Sequence, residues 1–292
     1  MQLSRVVALA VVGAGACGSS PPPRPVPVEE ASPDVAAEVK GVVQEAYGSL
    51  GHGNREGILP LLAEPVYAIG PGAGDRIEAR SDVVVALEGM FPADRKHRMS
   101  SHALRAVVSP GGRSAYVTDQ LDIDGVAYVA TAVMEQQGGV WVATAIDVAR
   151  PMPTAKQAHD PMPPVDAHVD AGAKDAVDLF KQGAAKPERF VDQLADGPDV
   201  VAMGAGPRDL VRGGAAIHKA WKKSLKKQPS LELVGGVRAG VTPDGQLAWI
   251  HANVARGDRD RDPVPLRAFY VYVHDGSTWR LAVVHEAAAP AK

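Results

Sequence analysis

Three motifs in this 292-residue chain occur twice, in the same order. Gly72-Ala73-Gly74-Asp75-Arg76, with Arg80, recurs as Gly204-Ala205-Gly206-Pro207-Arg208, with Arg212. RAVVSPGGRSAY, from Arg105 to Tyr116, recurs as RAGVTPDGQLAW, from Arg238 to Trp249. Gly138-Gly139-Val140-Trp141 recurs as Gly276-Ser277-Thr278-Trp279, each opening a last apolar run. The offsets are 132, 133 and 138 residues. A unit of that length is a duplicated domain, not a solenoid repeat. Whatever fold is read for one half must therefore hold for the other.

The N-terminus reads as an export signal. Met1 to Arg5 is a short basic region and Val6 to Val12 an uninterrupted apolar one, too short to span a bilayer. Small residues, Gly13 to Ala16, precede Cys17, the single cysteine of the chain. This order resembles a bacterial lipoprotein signal, which implies that Cys17 becomes the lipidated first residue of the mature protein and anchors it to a membrane. Ala14 stands where that pattern prefers leucine. Gly18 after the cysteine, rather than aspartate, favours the outer over the inner membrane. With its one cysteine acylated, the exported chain has no internal disulfide and must be held by its cores.

The boundaries expected are a signal peptide over residues 1–16, a proline-rich tether over 17–33, a first domain over 34–150, a proline-rich linker over 151–170 and a second domain over 171–288. The net charge of −3 conceals an asymmetry. From Asp34 to Arg150 there are 10 Lys and Arg against 15 Asp and Glu, a balance of −5; from Ala171 to Lys292 there are 18 against 14, or +4. Domains of opposite sign attract, and an intramolecular pseudo-dimer is expected.

Within the first half, Val35, Val39, Val42, Val43, Ala46, Tyr47 and Leu50 form one helical stripe. A short helix from Arg55 to Leu62, a strand from Val66 to Ile69, a short strand near Ile77 to Arg80 and a third helix, behind Ser81 as cap, follow. Four strands then alternate to Val148, joined by turns at Pro110-Gly111-Gly112, Asp124-Gly125 and Gly138-Gly139. The second half repeats the order, with stripes at Ala173, Ala176, Val177 and Phe180 and at Ile217, Trp221 and Leu225. Helices covering one face of a curved antiparallel sheet is an α+β layout, here in two tandem copies. This order, with SPGGRSAY or TPDGQLAW and a late tryptophan six residues before Asp147 or His285, resembles the SnoaL-like branch of the nuclear transport factor 2 and ketosteroid isomerase superfamily. The resemblance implies cone-shaped domains, each with a pocket between helices and sheet. Its members include isomerases, cyclases, dehydratases and non-catalytic binding domains, so fold alone leaves the function open.

Chemistry in such a cone needs a carboxyl or imidazole in apolar surroundings. Asp147 and His285 occupy equivalent positions; alternation with Ile146 and Val284 points them into the cones, the alternative being structural groups satisfied by a helix terminus or an arginine. Thr118 and His251 are a second equivalent pair. The matching positions carry different polar groups, which argues against one duplicated active site and for binding without catalysis. The second half is the better candidate, because His251, Tyr270, Tyr272 and His285 fall on its last three strands; Trp249 and Tyr116 join Tyr270 and Tyr272 as candidate ligand contacts. The competing reading is an isomerase or cyclase with Asp147, His285 or His251 as base. Asp166, His168 and Asp170 alternate like metal ligands but lie in the flexible-looking linker without a rigid frame, so no metal or cofactor is expected. Lys222, Lys223, Lys226 and Lys227 are too few, and too poor in aromatic neighbours, for nucleic acid. The expected partners are the membrane, through the lipid, and a small apolar molecule or an envelope protein.

Overall fold

The computed structural model describes residues 33–72, 75–88, 90–92, 95–151, 162–204, 206, 209–226, 230–258 and 261–288. Cys17, the tether, and His159 and Asp160 of the linker lie outside these residues.

The first half opens with α1 (Pro33–Gly51), whose stripe buries Val39 and Leu50. The segment expected as a short helix is a 3-10 turn, Glu56–Leu61, with Pro60 inside it. Proline has no amide hydrogen, so it does not extend an α-helical ladder. Then come β1 (Leu62–Ile69), β2 (Arg76–Ile77) and α2 (Arg80–Leu87). Ser81 does not cap α2: the cap position is Ala79, and the Ser81 hydroxyl donates to Asp82 Oδ1 at 3.3 Å. Five further strands complete this half: β3 (Met99–Ser101), β4 (Arg105–Val108), β5 (Ser114–Ile123), β6 (Val126–Gln137) and β7 (Val140–Ala149). The β5–β6 and β6–β7 hairpins are tight because both central residues of each turn take positive φ: Asp124 at 55° with Gly125 at 83°, and Gly138 at 58° with Gly139 at 87°. Turns of that hand match the twist of the strands they join.

The second half begins inside the expected linker. β8 (His168–Val169) pairs with a strand of the second sheet, and a 3-10 turn, Ala171–Ala173, leads into α3 (Lys174–Ala185). α4 (Glu188–Gln193), β9 (Val201–Met203), β10 (Leu210–Arg212) and α5 (Gly214–Ser224) follow, then the long strands β11 (Ser230–Val241), β12 (Leu247–Asp258), β13 (Arg261–His274) and β14 (Trp279–Ala287).

Each sheet has seven strands, the four of the expected meander and three short ones. The first runs β2-β1-β7-β6-β5-β3, with β4 also on β5; the second runs β10-β9-β14-β13-β12-β11-β8. Of the short strands, the one expected before the first glycine-rich loop, β1, lies parallel to β7, and its counterpart β9 parallel to β14. The correspondence holds residue by residue. Ile69 pairs with Asp147 and Met203 with His285, which makes Asp147 and His285 equivalent.

Both faces of each sheet are covered. One face packs on its own helices, around Val39, Phe91, Met134 and Trp141 in the first half and around Phe180, Phe190, Ile250 and Tyr270 in the second. The other faces pack on each other, in a third apolar cluster that draws Tyr67, Tyr116 and Val133 from one half and Trp249, Phe269 and Val283 from the other. Tyr67 stacks on Trp249 with ring centroids 4.9 Å apart and planes at 11°. Offset stacking of this kind adds to the area buried.

Candidate functional site

Asp147 and His285 do not line the cones. They sit between the two sheets and meet there, with His285 Nδ1 3.0 Å from Asp147 Oδ2, both side chains fully buried. Arg267 Nη2 lies 2.7 Å from Asp147 Oδ1. That guanidinium also donates to the backbone oxygens of Gly70 (2.7 Å) and Val148 (3.1 Å), while the Thr131 hydroxyl is 3.1 Å from His285 Nδ1. The Arg267 contact is an ion pair in distance, whereas the His285 contact is one only with a protonated imidazole; neither has hydrogen-bond geometry at the Asp147 oxygens, and among the described residues His285 Nε2 has no hydrogen-bond partner. Burial lowers the pKa of His285, against the opposing pull of Asp147. The expectation that these two residues face the cones fails for a physical reason. Alternation separates the two faces of a strand, but names the solvent face only where one exists, and in these sheets both faces are apolar.

His251 and the two aromatic candidates Trp249 and Tyr116 share that inter-sheet layer. Tyr67 Oη and His251 Nδ1 are hydrogen-bonded at 2.5 Å. Tyr116 donates to the backbone oxygen of Asp199 in the other half (3.2 Å). Tyr270 and Tyr272 do face the second cone, but as its filling. Both are buried; Tyr270 donates to Glu286 Oε1 (2.6 Å) and Tyr272 to Gln193 Oε1 (3.1 Å). Glu286 is gripped by Arg256 as well, at 2.5 and 2.7 Å. Phe180 and Phe190 pack edge-on against the Tyr270 ring, each with its centroid 5.3 Å away. The second half, expected to hold any site, is closed by its own side chains.

The open cone belongs to the first half. A cavity of about 220 Å³ lies between α1, α2 and the helix-facing side of β5, β6 and β7. Its walls are almost wholly apolar, among them Val42, Ala46, Val83, Leu87, Phe91 and Met134. Strand register explains why this cone is empty and the other is full. Ala132 pairs with Ile146 as Tyr270 pairs with Val284, so alanine stands where the second half has its central tyrosine. By the same register Val148 replaces Glu286, and Asp119 replaces Ala252.

Asp119 is the polar end of this cavity. It lies on β5 between Val117 and Leu121, which share its face, and is 1% exposed. Oδ1 accepts the Ala103 amide hydrogen at 3.0 Å, whereas Oδ2 is buried without a well-formed hydrogen bond among the described residues. Tyr47, from α1, also lines the cavity. Burial first, then the neighbouring Asp119 charge and a hydrogen bond toward that carboxylate, raise the pKa of its phenol, which stays protonated. The arrangement offers one acceptor with a poorly aligned phenol beside it in an otherwise apolar chamber. Neither residue was singled out from the sequence. Asp119 was legible there, because aligning the two SAY/LAW motifs sets it against Ala252; Tyr47 was read only as part of a core stripe.

The linker residues have other uses. Asp166 pairs with Arg76 (3.1 Å) and His168 with Asp170 (3.3 Å). Among the described residues no group of three His, Cys, Asp or Glu side chains is placed to hold a metal ion, and no helix is long and apolar enough to cross a membrane.

No family model matches the chain, and no curated protein matches it. Solved structures do match its halves. A nuclear transport factor 2-like protein of unknown function from Pseudomonas putida is similar over 46% of this chain and 99% of its own, at 14% identity and a TM-score of 0.38. A protein of the DUF3225 family from Pectobacterium atrosepticum is similar over 43% of this chain and 97% of its own, at 14% identity and a TM-score of 0.36. A cystatin-like-fold protein of unknown function from Nostoc punctiforme is similar over 41% and 94%, at 13% identity and a TM-score of 0.36.

Proposed function

We propose that this protein binds a small, mainly apolar molecule in the cone of its first half, and that it does so at the cell envelope, held to the outer membrane by a lipid on Cys17. The observation that carries the binding reading is the cavity opened by Ala132 and Val148, where the second half has Tyr270 and Glu286. At about 220 Å³ it is half as large again as the roughly 150 Å³ apolar cavity that accepts benzene. A ligand of about ten non-hydrogen atoms, such as a two-ring aromatic, is of the right size. The second half, with a packed centre, serves as the platform on which the first rests.

A second reading follows from Tyr47 and Asp119. A buried carboxylate beside a protonated phenol is also equipment for moving a proton on an enolisable substrate, in the manner of an isomerase. Asp147, His285 and His251, as inter-sheet residues, take no part in either reading.

Titration with naphthalene, followed by its fluorescence or by calorimetry, tests the binding reading. The wild-type protein is expected to take up one equivalent. Ala132→Phe, which restores a ring at the position of Tyr270, is expected to weaken binding at least about tenfold, or about 1.4 kcal/mol. An Ala132→Phe protein that is folded and binds naphthalene as well as the wild type would refute the assignment. The enzymatic reading requires a turnover that falls about a hundredfold or more in Asp119→Asn.

A further inference from the structure

Resting on that binding reading, we infer that the cavity selects ligands carrying a hydrogen-bond donor, a hydroxyl or an ammonium group, and that Arg212 of the second half is the residue that positions the acceptor.

Asp119 Oδ2 lies inside apolar walls with no well-formed hydrogen bond among the described residues, and only the poorly aligned Tyr47 phenol offers it a donor. Such a group is costly to bury unless something donates to it well. A ligand with a donor at one end satisfies Oδ2 directly; a hydrocarbon of the same shape leaves it the Tyr47 phenol alone. The orientation of the carboxylate is set at its other oxygen, by the Ala103 amide. Ala103 lies in the connection between β3 and β4, and its position is held from outside the first half: Arg212 Nη2 donates to the Ala103 carbonyl at 3.1 Å. The next residue back, His102, is tied to the Gln120 carbonyl beside Asp119, at 2.9 Å. The path from the second half to the open oxygen is therefore Arg212, the Ala103 backbone and Asp119. The guanidinium and the Asp119 charge also attract each other directly.

The duplication supplies an internal comparison. Arg80 occupies the place of Arg212 in the repeated motif, yet it turns to Glu64 in its own half, 3.7 Å away. The cone that would face such a reach has Ala252 at the Asp119 position and nothing to orient. Acidic residue, open oxygen and reaching arginine occur together, in the one combination that leaves a cavity.

Three probes of one shape separate the possibilities: naphthalene, 2-naphthol and 2-naphthylmethylammonium, each titrated into the full chain. The wild type is expected to bind at least one donor-bearing probe about tenfold or more tightly than naphthalene, and which one leads tells hydroxyl from ammonium. Asp119→Asn and Arg212→Met are expected to bring that ratio to within about threefold of unity, and Arg212→Lys, which keeps a donor for the Ala103 carbonyl, to restore most of it. The ratio, rather than any single affinity, is the readout, because general loosening weakens all three probes alike. Equal binding of the three probes by the wild type overturns the donor inference, while the cavity reading stands. A ratio that Arg212→Met leaves at its wild-type value overturns the role of Arg212, as does a loss common to all three probes. Failure of every probe to bind overturns the binding reading itself.

Discussion

Acid should loosen the layer between the two sheets, and His251 supplies a measurable share of the effect. Its ring is 4% exposed, and its pKa is lowered to about 3, chiefly by burial and then by the positive charges of Arg267, Arg76 and Arg238. Those three arginines and the Tyr67 hydroxyl are the charged and titratable groups facing it from β13, β2, β11 and β1. The folded state therefore keeps the imidazole neutral while the unfolded chain takes up a proton below about pH 6.5. Stability is complete above that value and falls as the pH drops from about 6.5 toward 3. For a folded value of about 3, the loss contributed by this one side chain is about 0.8 kcal/mol at pH 6 and about 2 kcal/mol at pH 5. Urea denaturation of the wild type and of His251→Gln at pH 8, 6 and 5 isolates it. Glutamine lowers stability at every pH by disturbing the packing, so the slopes are compared and not the levels. The wild type is expected to lose about 2 kcal/mol more than the variant between pH 8 and 5. Parallel pH profiles for the two proteins would show that His251 is not buried as described, and the reasoning would fail.

Two further outcomes are expected. Asp147→Ala leaves the Arg267 charge buried between the sheets without its carboxylate and should cost about 3–5 kcal/mol in unfolding free energy, measured by denaturant titration at neutral pH; a cost below about 1 kcal/mol would mean that the cluster contributes little. Cys17→Ser should move the protein from the membrane fraction to the soluble one, and mass spectrometry of the mature wild-type chain should find an acylated N-terminal cysteine; a serine variant that stays with the membranes contradicts the anchor.

The α+β layout in two copies was legible because its signals are local. Tight turns need glycine or aspartate at positive φ, the amphipathic stripe of α1 has its own period, and the late tryptophans mark the start of β7 and β14. Which way the strand residues point was not legible. Asp147 and His285 alternate with apolar neighbours on both sides, and a sheet buried on both faces offers no polar edge to orient the pattern. The location of the open cone depended on knowing which side of the sheet faces the helices. The 138-residue offset of the late tryptophans already sets Ala132 against Tyr270, and strand pairing with the packing of the core puts both on the helix side. Tyr47 needed the tertiary fold: a tyrosine on an amphipathic stripe is ordinary core until a carboxylate from a distant strand is placed beside it.

The meeting of Asp147 with His285 shows what a tandem gene can do that a homodimer cannot. When two identical subunits pack sheet to sheet about a two-fold axis, each residue on the axis confronts a copy of itself. At this position an ancestor of that kind would set carboxylate against carboxylate, whose like charges cannot both persist so close, or imidazole against imidazole, which places no acid opposite the base. Fusing the copies into one chain removes the requirement that the two sides be the same. An acid can then stand opposite a base across the axis, and one cone can be filled with tyrosine while its twin is left hollow.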